Sequence, residues 1–279
     1  MKNIEVKNID CLQHMKSMQS DSIDMIFTSP PYADRRKDTY GGLKASEYNK
    51  WFKDILIEMK RVIKPTGSIF INIKAHSEDG QRHLYVYKMV IMAVEEIGLK
   101  FVDDFAWIKN GFPGAYHGRF KNGWEPIFHF IKDDLNKITF NPLGCGKVMK
   151  HNTKQRLRYK NSGSSANKSG FKQPKFDNII GKNMSRPSNV IEIPNVLNSC
   201  SKNKAHPAVF PVKLPMWFIK SFTNHNDVVY DPFTGSGTTG LACKKLNRRF
   251  IGSELNPEYM PIIEEMLKDD YVNPNEIEW

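Results

Sequence analysis

Cysteine is scarce in this chain: there are four in 279 residues, at positions 11, 145, 200 and 243. None forms a CxxC pair, so neither a disulfide framework nor a cysteine zinc site is expected, and the pattern is that of a reduced, cytoplasmic protein. Long apolar runs are also missing. The segment Met1-Lys2-Asn3-Ile4-Glu5-Val6 offers no signal-peptide core, and no later stretch approaches the roughly 18 apolar residues of a membrane span. The eight histidines show no HExxH or other paired ligand spacing, so no metal is expected. Acidic residues are nearly absent from one region. Between 141 and 190, Asp177 is the single acid among eleven basic side chains, a net of +10 against +11 for the whole chain.

Hydrophobic residues make up 40% of the sequence, enough to bury a core at this length, which excludes a wholly disordered chain. The basic region has little hydrophobic periodicity and includes Asn161-Ser162-Gly163-Ser164-Ser165-Ala166-Asn167. It reads as a loop-rich insert. Such an insert is either a solvated basic loop or a clamp on phosphates, whose affinity would fall with salt as counterions are released. Composition leaves both readings open.

Elsewhere the periodicity alternates between two kinds. Tyr48, Trp51, Phe52, Ile55, Leu56 and Met59 recur at steps of three and four, which predicts an amphipathic helix ended by Lys64-Pro65-Thr66-Gly67. A second helix carries Tyr87, Val90, Ile91, Val94 and Ile97; a third carries Leu214, Trp217, Phe218 and Phe222; a fourth runs from about Thr238 to Leu246. Strands are predicted at Ile23–Phe27, Ser68–Ile73, Phe101–Ile108, Pro126–Ile131, Val228–Tyr230 and Phe250–Gly252. Trp107, Trp124 and Trp217 lie in apolar runs and read as core. Strands alternating with helices predict a mostly parallel sheet covered on both faces.

Two motifs follow strands. Asp231-Pro232-Phe233-Thr234-Gly235-Ser236-Gly237-Thr238-Thr239-Gly240 contains GxGxxG, and Glu254 stands 19 residues beyond Gly235, placed to accept hydrogen bonds from a ribose. The Lys-Ser/Thr of a nucleoside triphosphate loop is absent. A nicotinamide dinucleotide remains open, but Asp231 suits a ligand with a ribose and an ammonium group better than a pyrophosphate. The second motif is Ser29-Pro30-Pro31-Tyr32. Two consecutive prolines fix the backbone and remove amide donors, leaving rigid carbonyl acceptors beside a hydroxyl and a flat ring.

Together the two motifs resemble the pair that marks the amino-group DNA methyltransferases, and their order resembles the circularly permuted β class. The resemblance covers most of the chain outside 141–190. It implies a doubly wound, seven-stranded, mostly parallel methyltransferase-type α/β sheet with helices on both faces. Residues 1–140 and 191–279 would form the catalytic domain, and 141–190 a basic target-recognition insert. The implied cofactor is S-adenosylmethionine, held by Asp10 and Cys11 near its adenine, by Asp231, Pro232, Phe233, Gly235, Gly237, Thr238 and Thr239 in the glycine loop, and by Glu254. The segment His206–Pro215 resembles the one that closes over the methionine end, with Phe210 in contact, while His206 fits that place and a packing role equally. Gly123-Trp124-Glu125-Pro126-Ile127-Phe128 resembles a late strand motif of the family.

Ser29, Pro30, Pro31 and Tyr32 are the implied catalytic set. Ser29 and the Pro30 carbonyl would accept the hydrogens of an exocyclic amine on a base flipped out of duplex DNA, and Tyr32 would stack on it. Arg35, Arg36, Lys154, Arg156, Arg158 and Lys160 are the expected DNA-phosphate contacts. Family members with Ser in the first motif position mostly modify cytosine N4, and those with Asp mostly adenine N6. Ser29 therefore points to cytosine, with adenine N6 as the alternative. Cytosine C5 chemistry is set aside, because none of the four cysteines follows a proline. A nicotinamide-dependent dehydrogenase would explain only GxGxxG, and a non-enzymatic nucleic-acid binder only the charge. The expected state is monomer or homodimer. A cognate restriction endonuclease would be a separate chain, since 279 residues leave no room for a nuclease domain.

Overall fold

Side chains in successive strand positions point to opposite faces of a sheet, and here they sort into two cores. In the computed structural model, which describes residues 4–34, 43–78, 80–109, 117–118, 120–148, 184–194 and 210–268, Ile26, Ile69, Ile71, Val228 and Tyr230 join one cluster. Their neighbours Met25, Phe27, Phe70 and Val229 join the other. The first core is covered by α1 (Cys11–Ser17), α2 (Ala45–Val62) and α3 (Tyr85–Glu95). The second is covered by α4 (Lys213–Phe222), α5 (Thr238–Lys245) and α6 (Met260–Met266). On α2, the periodic Tyr48, Phe52, Ile55, Leu56 and Met59 are all buried, each contributing on the order of 1.5–3 kcal/mol by leaving water.

The main sheet is assembled from β1 (Ile4–Asn8), β2 (Ile23–Thr28), β3 (Ile63–Asn72), β6 (Lys100–Ile108), β7 (Trp124–Ile131), β10 (Val190–Glu192), β11 (Val228–Asp231) and β12 (Arg249–Glu254). Two short ladders stand apart: β4 (Ser77–Glu78) with β5 (Gln81–Arg82), and β8 (Lys147–Val148) with β9 (Met184–Ser185). The order is β1-β12-β11-β2-β3-β7-β6-β10, and β7 alone runs against its neighbours. The seven expected strands are thus present, and β10 adds a short eighth beside β6. A circularly permuted motif order implies that the strand before the glycine motif pairs with the Ile23–Phe27 strand, and β11 does lie directly beside β2, with Val229 opposite Met25 and Tyr230 opposite Ile26.

Four details differ from the sequence reading. On α3 the expected face is turned outward: Tyr87, Ile91 and Val94 are exposed, and Tyr85, Val86, Met89, Met92 and Ala93 are buried instead. Lys64-Pro65-Thr66-Gly67 does not end α2 in a loop but forms the first half of β3. The helix stops at Ile63, whose amide still bonds the Met59 carbonyl. The register slips opposite Ile23 and Met25, and Gly67 there lies so close to the Asp24 carbonyl that a Cβ would collide with it. Trp107 and Trp217 are buried as expected, but Trp124, at the start of β7, is 45% exposed. β1, α1 and α6 carry too few periodic positions to be predicted. No helix among the described residues is long and apolar enough to cross a membrane.

Candidate active site

The carboxyl ends of parallel neighbours β1, β12, β11 and β2 open on one edge, so the loops that follow them converge. Asp231 ends β11 and is fully buried. Its Oδ1 accepts from the Thr28 hydroxyl at 2.8 Å and from the Phe233 amide at 3.1 Å; its Oδ2 accepts from the Thr239 hydroxyl at 2.7 Å. Burial raises its pKa to about 6, with the three donors opposing the shift. With both oxygens engaged, Asp231 ties the end of β2 to the glycine loop and α5. Direct contact with an ammonium group is not the role its hydrogen bonds describe.

The glycine loop is pinned to the end of β12. The Thr234 amide bonds the Ser253 carbonyl at 2.9 Å, and the Gly235 amide donates to Glu254 Oε2 at 2.8 Å. Glu254 Oε1 accepts the Asn256 amide at 2.9 Å, and burial holds the acid's pKa above its ordinary value. Gly237, the residue before α5, has φ +91°, a conformation closed to residues with a Cβ except under strain.

On the far side, Asn8 of β1 lies in register with Glu254, and its side chain bonds the Glu254 and Leu255 carbonyls. Asp10, two residues on, caps α1 by accepting from the Gln13 amide at 3.0 Å, and its side chain is exposed toward solvent. Cys11 is buried, its thiol pushed up to about 12 by desolvation, which makes it an inert packing group. Behind them His14, Ser253 and Tyr230 form a buried hydroxyl–imidazole chain with both links at 2.8 Å.

Ser29 to Tyr32 continue from the carboxyl end of β2. Tyr32 packs against the first core. Its hydroxyl interacts with the Ser29 hydroxyl and donates toward Glu125 Oε2 at 3.4 Å, and desolvation first, then Glu125, raises its pKa well above the ordinary phenol value. Glu125 Oε1 is ion-paired with Lys109 at 2.6 Å, both side chains nearly buried. The Lys109 ammonium lies 3.9 Å from the centre of the Trp107 ring. Lys74 donates to the Trp124 carbonyl, and burial lowers its pKa to about 8.

Sequence reasoning misses Lys74 and Lys109 altogether and gives Glu125 no role. Glu125 sits in the late strand motif, but Tyr32 reaches it from 93 positions away, a distance no local pattern reports. Phe233 packs beside Trp51 and Phe52, and Phe210 edges onto Phe27, so both border the same edge. Arg35, Arg36, Lys154, Arg156, Arg158, Lys160 and His206 lie outside the described residues. Of the basic region, the described residues include the β8–β9 ladder, which pairs Val148 with Met184.

The donor set fits a nucleoside carrying a cationic tail. Acids at two adjacent strand ends, Asp10 and Glu254, flank a loop with hydroxyls and amides but no lysine. Ser29, Pro30 and Tyr32 follow β2 on the same edge of the sheet.

Comparison with known proteins agrees with this geometry. The N6/N4 methyltransferase family model, described as DNA methylase, matches residues 23–265. The type II methyltransferase M.PvuII of Proteus hauseri is 31% identical over 277 residues, covering 90% of this chain and 80% of that protein. The DNA adenine methyltransferase YhdJ of Escherichia coli (strain K12) is 28% identical over 260 residues, covering 90% and 78%. Among solved structures, the cytosine-N4-specific PvuII DNA methyltransferase superposes with a TM-score of 0.71 at 24% identity, covering 98% of this chain and 90% of that one. M1.HpyAVI in complex with SAM gives 0.60 at 24% identity, covering 95% and 98%. Sheet order and cleft define a methyltransferase-type α/β protein. The chain belongs to the N6/N4 DNA methylase family.

Proposed function

We propose that this protein binds S-adenosylmethionine at the glycine loop and methylates the exocyclic N4 of a cytosine flipped out of duplex DNA. The observation that carries the reading is the Thr28–Asp231 hydrogen bond of 2.8 Å. It joins the Ser29–Tyr32 segment to the glycine loop, so that two motifs some two hundred residues apart share one edge. When bound, the cofactor supplies an electrophilic sulfonium methyl group for in-line displacement by the amine.

The amine is a poor nucleophile while its lone pair is delocalised into the base. Ser29 and the Pro30 carbonyl accept its hydrogens and favour a pyramidal nitrogen. Direction along the hydrogen-bond chain supports this. Glu125, paired with Lys109, is an acceptor, so Tyr32 donates to it; the Tyr32 oxygen is then free to take the Ser29 proton. Ser29 thereby offers lone pairs, not a proton, to the base, which suits an amino group and disfavours a carbonyl. Tyr32 stacks on the base, repaying part of the few kcal/mol that flipping costs. The basic insert, residues 141–190, would hold DNA, and a cytoplasmic setting suits that substrate.

Nucleoside mass spectrometry of DNA from cells making the protein is the test. N4-methylcytosine is the expected product. N6-methyladenine would reverse the base assignment, which rests on Ser29, and the absence of both would overturn the enzyme reading for DNA.

A further inference from the structure

Immediately after Tyr32, Asp34 turns toward the β4–β5 hairpin. Its backbone is in the left-handed region at φ +53°, a conformation that few residues other than glycine, asparagine and aspartate adopt readily. One carboxylate oxygen accepts the Ala45 amide at 2.9 Å and lies 3.9 Å from His76 Nε2. His76 and His83 flank the hairpin. The pairs Ser77–Arg82 and Glu78–Gln81 form its ladder, and the His83 amide bonds the His76 carbonyl at 3.1 Å just outside it. This register sets the two imidazoles side by side, with ring centres 4.5 Å apart and planes tilted by 30°. One donor atom from each of Asp34, His76 and His83 lies within 4.8 Å of the other two. Seven positions separate the histidines, so the pairing is invisible to helical ligand spacing and appears only once the hairpin forms.

Two imidazoles and one carboxylate are donors for a first-row divalent ion, and three protein ligands leave a position for water. We propose that Asp34, His76 and His83 bind such an ion, zinc before the others, and that it tethers the loop carrying Ser29–Tyr32 to the β4–β5 hairpin. Around a tetrahedral ion the three donor atoms would close from within 4.8 Å of one another to shorter separations. The ion takes no part in chemistry. It orders the segment two residues beyond Tyr32, and its binding free energy adds to the stability of that loop. This assignment replaces the expectation of no metal drawn from sequence spacing, and it stands independently of the base modified.

The test is a titration of Co2+ into the full chain, free of any histidine tag and stripped with chelator, followed by displacement with Zn2+. The expected result is saturable uptake of one equivalent with a visible ligand-field band and no thiolate charge transfer. Zn2+ at a hundredfold excess over its Kd should raise the melting temperature by about 5 °C. His83→Gln should melt like the metal-free wild type, yet bind Co2+ at least tenfold more weakly and lose the zinc-induced shift. Asp34→Asn should also weaken binding. Absence of saturable uptake, a thiolate charge-transfer band, or equal binding by wild type and His83→Gln would each overturn the assignment.

Discussion

Asp231 ties the end of β2 to the glycine loop from a buried position. Its carboxylate is buried, with a pKa raised to about 6, so the folded protein holds a proton more tightly than the unfolded chain does. Stability from this group is therefore greatest at low pH and falls as pH rises from about 4 through 6, by up to about 3 kcal/mol. Asp231→Asn should remove that fall. Urea melts of both proteins between about pH 4 and pH 7 should show the wild type losing more, and parallel curves would contradict the raised pKa.

Ser29 and Glu125 are separable at the same scale. Ser29→Ala should lower kcat by roughly 10²–10³ while the S-adenosylmethionine Kd stays unchanged in calorimetry. Glu125→Gln can donate as well as accept, so it lets the Tyr32–Ser29 chain reverse. A smaller loss, about tenfold in kcat, is expected, and cofactor affinity should again be intact. A Glu125→Gln enzyme with wild-type kcat would show that the direction of that chain does not matter.

At the scale of elements, the glycine loop depends on β12 directly behind it. Gly252 faces Thr234 so closely that a Cβ would collide with its hydroxyl, and Thr234 in turn bonds the Asp231 carbonyl at 3.1 Å. Gly252→Ala should push the loop outward, destabilise the fold by about 1–3 kcal/mol and raise the cofactor Kd. Denaturant midpoints and calorimetry would read both, and an unchanged Kd would mean that the loop yields without cost. Elements whose buried faces repeat over three turns, such as α2, are legible from sequence. β1 and α1 are not, because five and seven residues with a buried His14 among the apolar positions leave no period to detect. The strand at Ile63–Gly67 escapes for a different reason. Proline and glycine ordinarily punctuate, yet Pro65 fits an extended backbone, and Gly67 is required there by the nearness of Asp24.

For the whole molecule, the charge balance carries a prediction of its own. Neutralising Lys154, Arg156, Arg158 and Lys160 to Ala should weaken DNA binding and flatten its dependence on salt, by up to about 0.9 in log–log slope for each phosphate that is no longer neutralised. Fluorescence anisotropy across a salt series measures this, and an unchanged slope would return those residues to the role of a solvated loop.

Much of the protein is written locally. Helix and strand periods, the rigid Ser29–Tyr32 acceptors and the Gly235–Gly240 turn each follow from neighbours in the chain, because steric limits on φ and ψ and the burial of apolar faces act over a few residues. The folded arrangement alone settles that Glu125 meets Tyr32 and His83 meets His76. Such pairings arise from sheet order and register, which minimise exposed surface over the entire chain and leave no mark on any short stretch of it.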